Sequence, residues 1–149
     1  MLYYKRCSSD NQNFQELVSL LDADLALRDG DDNAFYAQFN GIVELKNCVV
    51  FYSDETPVAC GAFKRFNEDS VEIKRMYVQP DYRGKGIASK VLLVLEKWAK
   101  ELNYTYSVLE TGLRQPEAIA LYEKNNYIVT DNYPPYENME NSVCFKKVL

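Results

Sequence analysis

The 149-residue chain has no histidine at all. That removes Ser-His-Asp and Cys-His nucleophilic systems and any His-ligated zinc. The four cysteines, Cys7, Cys48, Cys60 and Cys144, show no metal-ligand spacing, so no metal is expected; they read as buried thiols of a reducing compartment. No apolar run approaches ~20 residues, so neither a transmembrane helix nor a membrane partner is expected. Met1-Leu2-Tyr3-Tyr4-Lys5-Arg6 lacks the apolar stretch of a secretory signal, which predicts a cytoplasmic protein. Basic residues are in deficit, and the net charge of −5 makes a general nucleic-acid partner a poor expectation. There is no internal repeat and no low-complexity segment.

What is present is a globular composition, 47% apolar and 26% charged, at a length that suits one domain over residues 1–149. Leu2 to Cys7 reads as a short strand. Asn13 followed by Glu16 looks like a capping box opening a helix, whose apolar face is Phe14, Leu17, Val18, Leu21 and Leu25 and which ends near Arg28. A turn cluster, Asp29-Gly30-Asp31-Asp32-Asn33, precedes a second short helix from Ala34 to about Phe39, with Phe35, Tyr36 and Phe39 on its apolar side. Three strands follow, Cys48 to Tyr52, Pro57 to Phe66 and Val71 to Val78, joined by polar turns as an antiparallel set. A helix from Ile87 carries Ile87, Val91, Leu95, Trp98 and Leu102 on one stripe. Tyr104 to Glu110 is a strand placed parallel to Val71–Val78, because a helix separates the two. Pro116 opens the last helix at its first position, where a missing N–H costs nothing. Asn126 suits the left-handed cap that ends it. Tyr127 to Thr130 and Ser142 to Val148 are closing strands around a loop, Asp131 to Asn141.

The chemistry gathers where a strand meets a helix, at Val78-Gln79-Pro80-Asp81-Tyr82-Arg83-Gly84-Lys85-Gly86-Ile87-Ala88. A helix N-terminus leaves its first N–H groups unpaired and carries about half a positive charge. Glycines let the backbone approach a phosphate closely. Arg83 and Lys85 add full charges, so the stretch suits a pyrophosphate. An ordinary strand-to-helix turn with solvated basic residues is the plainer alternative. A dinucleotide fingerprint fits less well: Gly84-x-Gly86-x-x-Ser89 lacks the third glycine, and no second βαβ unit fits the remaining length. Nor does a Gly-Lys-Ser/Thr follow at P-loop spacing.

Arg83-x-x-Gly86-x-Ala88 resembles the Arg/Gln-x-x-Gly-x-Gly/Ala signature of the GNAT family, the Gcn5-related N-acetyltransferases. Glu110-Thr111-Gly112-Leu113-Arg114-Gln115-Pro116-Glu117-Ala118-Ile119-Ala120-Leu121-Tyr122-Glu123-Lys124-Asn125-Asn126-Tyr127 resembles the family's second cofactor segment, in its order and at its spacing. The likeness covers Cys48 to about Tyr127 well and the first forty residues in outline. It implies a mixed α/β fold, a mostly antiparallel sheet with one splayed parallel pair, flanked by helices. It implies acetyl-CoA as cofactor, its pantetheine arm paired with the backbone of Met76, Tyr77 and Val78. Its pyrophosphate would lie on Arg83, Gly84, Lys85, Gly86, Ile87, Ala88 and Ser89, with Ala118 and Tyr122 from the last helix. A homodimer is an open alternative under the same likeness.

Acetyl transfer to an amine needs a deprotonated amine. A lysine-like amine of pKa ~10.4 must give up its proton at pH 7 at a cost of roughly 4.6 kcal/mol. Without histidine, a carboxylate acting directly or through water is the natural base. Glu72 is the first candidate, because it matches in position a glutamate used early in the same strand by some members; alternation would put it on one face with Lys74, Met76 and Val78 unless a bulge intervenes. An exposed carboxylate paired with Lys74 or Arg75 is the structural alternative. Glu110, at the end of the neighbouring strand, is the other base candidate. Tyr122 resembles the tyrosine that the family holds near the thioester sulfur, where a hydrogen bond to a developing thiolate is the better-matched role; otherwise it is a core aromatic. The carbonyl oxygen would meet a backbone N–H, that of Val78. Phe35, Tyr36, Glu72, Glu110, Tyr133 and Tyr136 are the residues expected around a small-molecule or peptide amine. The remaining alternative is a GNAT fold that holds CoA without catalysis.

Overall fold

The computed structural model describes residues 1–38 and 45–149. The expectations for Phe39, and for Asn40 at the end of the turn-and-helix region, lie outside the described residues. Seven strands form one sheet in the order β1-β2-β3-β4-β5-β7-β6. They are β1 (Leu2–Cys7), β2 (Asn47–Ser53), β3 (Thr56–Arg65), β4 (Ser70–Val78), β5 (Tyr106–Gly112), β6 (Ile128–Thr130) and β7 (Ser142–Val148). Helices α1 (Gln12–Asp29) and α2 (Asn33–Ala37) precede β2, α3 (Ile87–Glu101) links β4 to β5, and α4 (Pro116–Lys124) follows β5. Every neighbouring pair is antiparallel except β4 and β5. Among the described residues no helix is long and apolar enough to cross a membrane.

Helix α1 starts one cap earlier than the Asn13–Glu16 pattern predicts. The Asn11 side chain accepts from the Phe14 N–H at 2.9 Å, while Asn13, already inside the helix, donates to the Tyr52 hydroxyl at 3.0 Å. Two asparagines two residues apart offer two caps, and the side chain of Asn13 is engaged by the sheet. Phe14, Leu17, Val18 and Leu21 then bury against Val50, Cys60, Ala62 and Tyr77 on one face of the sheet. On the other face, Val91, Leu92 and Leu95 of α3 pack on Val49, Phe63, Val71 and Ile73. A Cβ at Gly61 would stand 2.8 Å from Leu95, Met76 and Val91 side-chain atoms, so α3 sits close on β3 because that position is bare.

Two features of β4 shape everything that follows. First, it carries a bulge: Arg75 has φ +60, and the β3–β4 register slips between Cys60 and Ala62. One extra residue reverses the alternation beyond it. Val71, Ile73, Met76 and Val78 therefore face α3, and Tyr77 faces α1. The expected common face of Glu72 with Met76 and Val78 is corrected: Glu72 and Lys74 lie on the side of α1 with Tyr77. Second, β4 and β5 pair only at Ser70↔Tyr106, Val71↔Ser107 and Glu72↔Val108. Beyond Glu72 the strands part, because β4 follows β3 and β5 follows β7. This is the predicted splay, and it opens toward the N-terminus of α3.

Candidate functional site

The helix-start end of the splay is built from Pro80 to Ser89. Gly84 and Gly86 have φ +77 and +79, which side chains rarely adopt, and a Cβ at either would meet nothing within 4 Å. The protein leaves the volume above both glycines open. Gly86 caps α3 without a side-chain bond, so its own position leaves the first N–H groups of the helix uncapped. Arg83 donates from Nε to the Val78 carbonyl at 2.8 Å and lies 5.5 Å from the Tyr77 ring centroid. Lys85 is not among the residues that line the cleft; its ammonium lies 5.4 Å from the Tyr82 ring centroid. Ser89 is linked to α4 by Asn125, whose side-chain amide donates to it at 3.2 Å.

From this loop a cleft of about 450 Å³ runs between β4 and β5 to the end of α1. Met76, Tyr77, Val78, Arg83, Gly84, Gly86, Ile87, Ala88, Ser89, Ala118 and Tyr122 all line it, and at the far end so do Tyr36, Glu72, Glu110 and Tyr136. Gln79 N–H bonds to Val58 on β3 at 2.8 Å. Because alternate strand residues bond to opposite neighbours, Val78 N–H points the other way, into the splay. Tyr122 is buried against Tyr127 and Phe145. Burial, then the Glu110 charge, pushes its hydroxyl well above the usual phenol range, and no described residue takes that hydroxyl.

Two carboxylates face the far end. Glu72 accepts from the Tyr133 hydroxyl at 2.8 Å and has the Lys64 ammonium 3.8 Å away. Tyr133 is edge-on to Phe66 at 4.8 Å, does not line the cleft, and ties the loop before β7 to β4. Phe35 likewise stays outside the lining, edge-on to Tyr36 at 5.5 Å. Glu110 is different. Burial pushes its carboxyl up to about 7, a hydrogen bond from Ser142 and the Lys74 charge pull down, and Asp29 and Glu72 push up. Burial lowers the Lys74 ammonium, with Glu72 opposing.

Several lining residues carry no signature of their own in the sequence. Asp24, Arg28 and Asp29 come from the end of α1 and Gln115 and Glu117 from the start of α4. Arg28 pairs with Asp24 at 3.1 Å and with Glu117, and Arg114 donates to the Asp29 carbonyl. These bonds tie α1 to α4 across the cleft. The Asp24–Arg28 spacing, i to i+4, was the one local hint of them. Burial raises all four thiols, Cys7 and Cys144 to about 11, Cys48 to about 12 and Cys60 further, which leaves them poor nucleophiles.

The arrangement fits an extended molecule bearing a pyrophosphate: an open glycine turn at a helix start, then a strand edge with a free N–H, then a cleft ending at carboxylates. A family profile described as "Acetyltransferase (GNAT) family" matches residues 14–127. An IAA acetyltransferase of Azospirillum brasilense is 38% identical over 95 residues, 63% of this chain and 62% of that protein, so under two thirds of its length is matched. The structure of a Klebsiella pneumoniae protein assigned as an acyl-CoA N-acyltransferase superposes with TM-score 0.84 at 28% identity, covering 100% of this chain and 98% of that one. A Thermoplasma acidophilum PaiA N-acetyltransferase solved with coenzyme A shares the fold, with TM-score 0.75 at 16% identity over 100% and 99% of the two chains. With a cleft of this shape and a profile that covers most of its residues, the chain belongs to the GNAT acetyltransferase family.

Proposed function

We propose that the protein transfers the acetyl group of acetyl-CoA to a primary amine of a small molecule or peptide, directly and in a ternary complex. The observation that carries this reading is one cleft with an open glycine turn at one end and a carboxyl near neutrality at the other. When bound, the thioester supplies an activated acetyl group. The α3 N-terminus, Gly84 and Gly86 hold the phosphates, and the open edge of β4 holds the arm. Val78 N–H donates to the carbonyl oxygen, where charge develops. Glu110 takes the proton of the amine. A base works best with a pKa near the working pH, and Glu110 is so placed, whereas Glu72 already accepts from Tyr133 and neighbours Lys64. Glu72 then orders the loop before β7 and adds negative charge that attracts a cationic acceptor. The Tyr122 hydroxyl donates to the departing sulfur; its raised pKa suits donation of a hydrogen bond rather than full proton release. Four raised thiols favour direct transfer over a covalent acetyl-enzyme, and their free state suits a cytoplasmic location.

The test is a thiol-release assay with acetyl-CoA against polyamines, aminoglycosides, amino acids, short peptides and amino sugars. Saturable CoA production with one class would name the acceptor. Tight CoA binding without turnover across the panel would overturn catalysis in favour of a CoA-binding module.

A further inference from the structure

Five carboxylates line the cleft: Asp24, Asp29, Glu72, Glu110 and Glu117. Three of them are engaged. Arg28 pairs with Asp24 at 3.1 Å and with Glu117, and Glu72 accepts from Tyr133 at 2.8 Å. Asp29 and Glu110 form no ion pair with any described residue. Glu110 has a task in the reading above, and Asp29 has none. Asp29 is the last residue of α1 and is 4% exposed, yet its carboxylate accepts no hydrogen bond from a described residue. Its fixed contact is made by the backbone. Arg114, two residues past β5, donates to the Asp29 carbonyl and holds this residue beside the end of the strand that carries Glu110. The sealed side-chain atoms without a partner are Arg75 Nε and Asn141 Nδ2, so the Asp29 oxygens still reach open space. The position is a poor one for a carboxylate kept only for the fold. A helix C-terminus is the negative pole of its dipole, and a buried charge without a partner is costly. Arg75 is taken by Asp22, which leaves Lys74 as the lining cation set against Asp29, Glu72 and Glu110.

We propose that Asp29 binds a second ammonium group of the acceptor, so that the acceptor is a short diamine: one nitrogen meets Glu110, and the other is held by Asp29 at the end of α1. One carboxylate is enough to take a proton. A second open carboxylate in the same cleft is matched by a second positive charge. The negative pole of α1 and the Glu72 charge add attraction for it. That the bound diamine is the acetyl acceptor rests on the acetyl-transfer reading above; the cation subsite itself does not.

The experiment is a calorimetric titration of the whole protein, with and without CoA, using diaminobutane and diaminopentane against butylamine and pentylamine. Wild type should bind each diamine about 10- to 100-fold more tightly than the monoamine of equal length, the range for one hydrogen bond to a charged group. Asp29→Asn keeps the shape and loses the charge, and should abolish that preference. A second readout needs no variant and decides alone should Asp29→Asn not fold: the 13C resonance of the Asp29 carboxyl should shift with diamine and stay in place with monoamine. Equal affinity for diamines and monoamines in wild type overturns the subsite. So does a preference that survives in Asp29→Asn, or an Asp29 resonance that diamine leaves unmoved. The thiol-release assay separates the two claims. Diamine seated on Asp29 with no CoA released supports the subsite and overturns acetyl transfer. Monoamines turned over as efficiently as diamines overturn the acceptor class and leave acetyl transfer standing.

Discussion

Two glutamates, one buried and one half-buried, receive opposite treatment. Glu96, on the inner face of α3, is 6% exposed; Lys147 donates to one oxygen at 2.8 Å and Tyr127 to the other at 3.0 Å, while Tyr127 also meets Ser107 at 2.7 Å. Its charge is matched and both oxygens are bonded. Glu110 has no ion pair among the described residues and opens on the cleft. The tyrosines repeat the contrast. Tyr122 and Tyr127 lie edge to face, centroids 5.8 Å apart, yet Tyr127 is bonded on both sides and the Tyr122 hydroxyl is left to the cleft. Both tyrosines and Glu96 are buried, and Glu110 is half-buried at the cleft. What separates structure from function here is hydrogen-bonding capacity left open toward a cavity.

The largest effect should come from emptying that cavity while sparing the Glu96 cluster. Gly86→Asp puts bulk and negative charge where the phosphates would lie and should abolish CoA binding in calorimetry, with the fold intact; micromolar affinity retained would sink the cradle. Next, Glu110→Gln should lower kcat/KM by about 10²–10⁴-fold with CoA affinity unchanged. It should also change the pH dependence of stability. Folded Glu110 holds its proton up to about 7, against 4.5 ordinarily, so the wild type loses stability as pH rises from 4.5 to 7. Glu110→Gln should be spared that loss, and thermal melts at pH 4 and 8 will show it. Lys147→Met does the reverse. It leaves a buried carboxylate unmatched, at a cost of about 3–5 kcal/mol in denaturant titrations, without altering kcat while folded. The tyrosines give the smallest and sharpest test. Tyr122→Phe should lower kcat by about 10²-fold at little cost in stability; Tyr127→Phe should spare kcat and cost about 1–3 kcal/mol. An unchanged kcat in Tyr122→Phe would remove that residue from the mechanism.

The sequence made the helix-start end of the cleft legible because that end is local. Arg83 to Ser89 is a continuous stretch, Pro116 opens α4 as its missing N–H demands, and Asn126 takes φ +71 as a left-handed cap. The far end of the cleft was legible only as a set of residue types. Nothing in Lys74-Arg75-Met76 announces a positive φ at Arg75; the bulge depends on bare Gly61 and the Cys60 thiol, which donates to the Arg75 carbonyl at 3.3 Å from the neighbouring strand. That one residue decided which face Glu72 takes. Tyr133, expected around an amine acceptor, stands outside the cleft lining, because its hydroxyl is claimed by Glu72, 61 residues away.

That order has a bearing on how the chain is made. In chain order β7 follows the six other described strands, yet it lies between β5 and β6. Until it arrives, β6 has no neighbour and the outer edge of β5, with Glu110 and Leu109, is uncovered. The β1-to-β4 meander pairs strands that follow one another in sequence and can form during synthesis. The β5-β7-β6 half cannot. A nascent chain stalled before Ser142 would hold its glycine turn in place while the β5 edge that carries Glu110 still waits for its neighbour, so that wall of the cleft is completed only when β7 pairs.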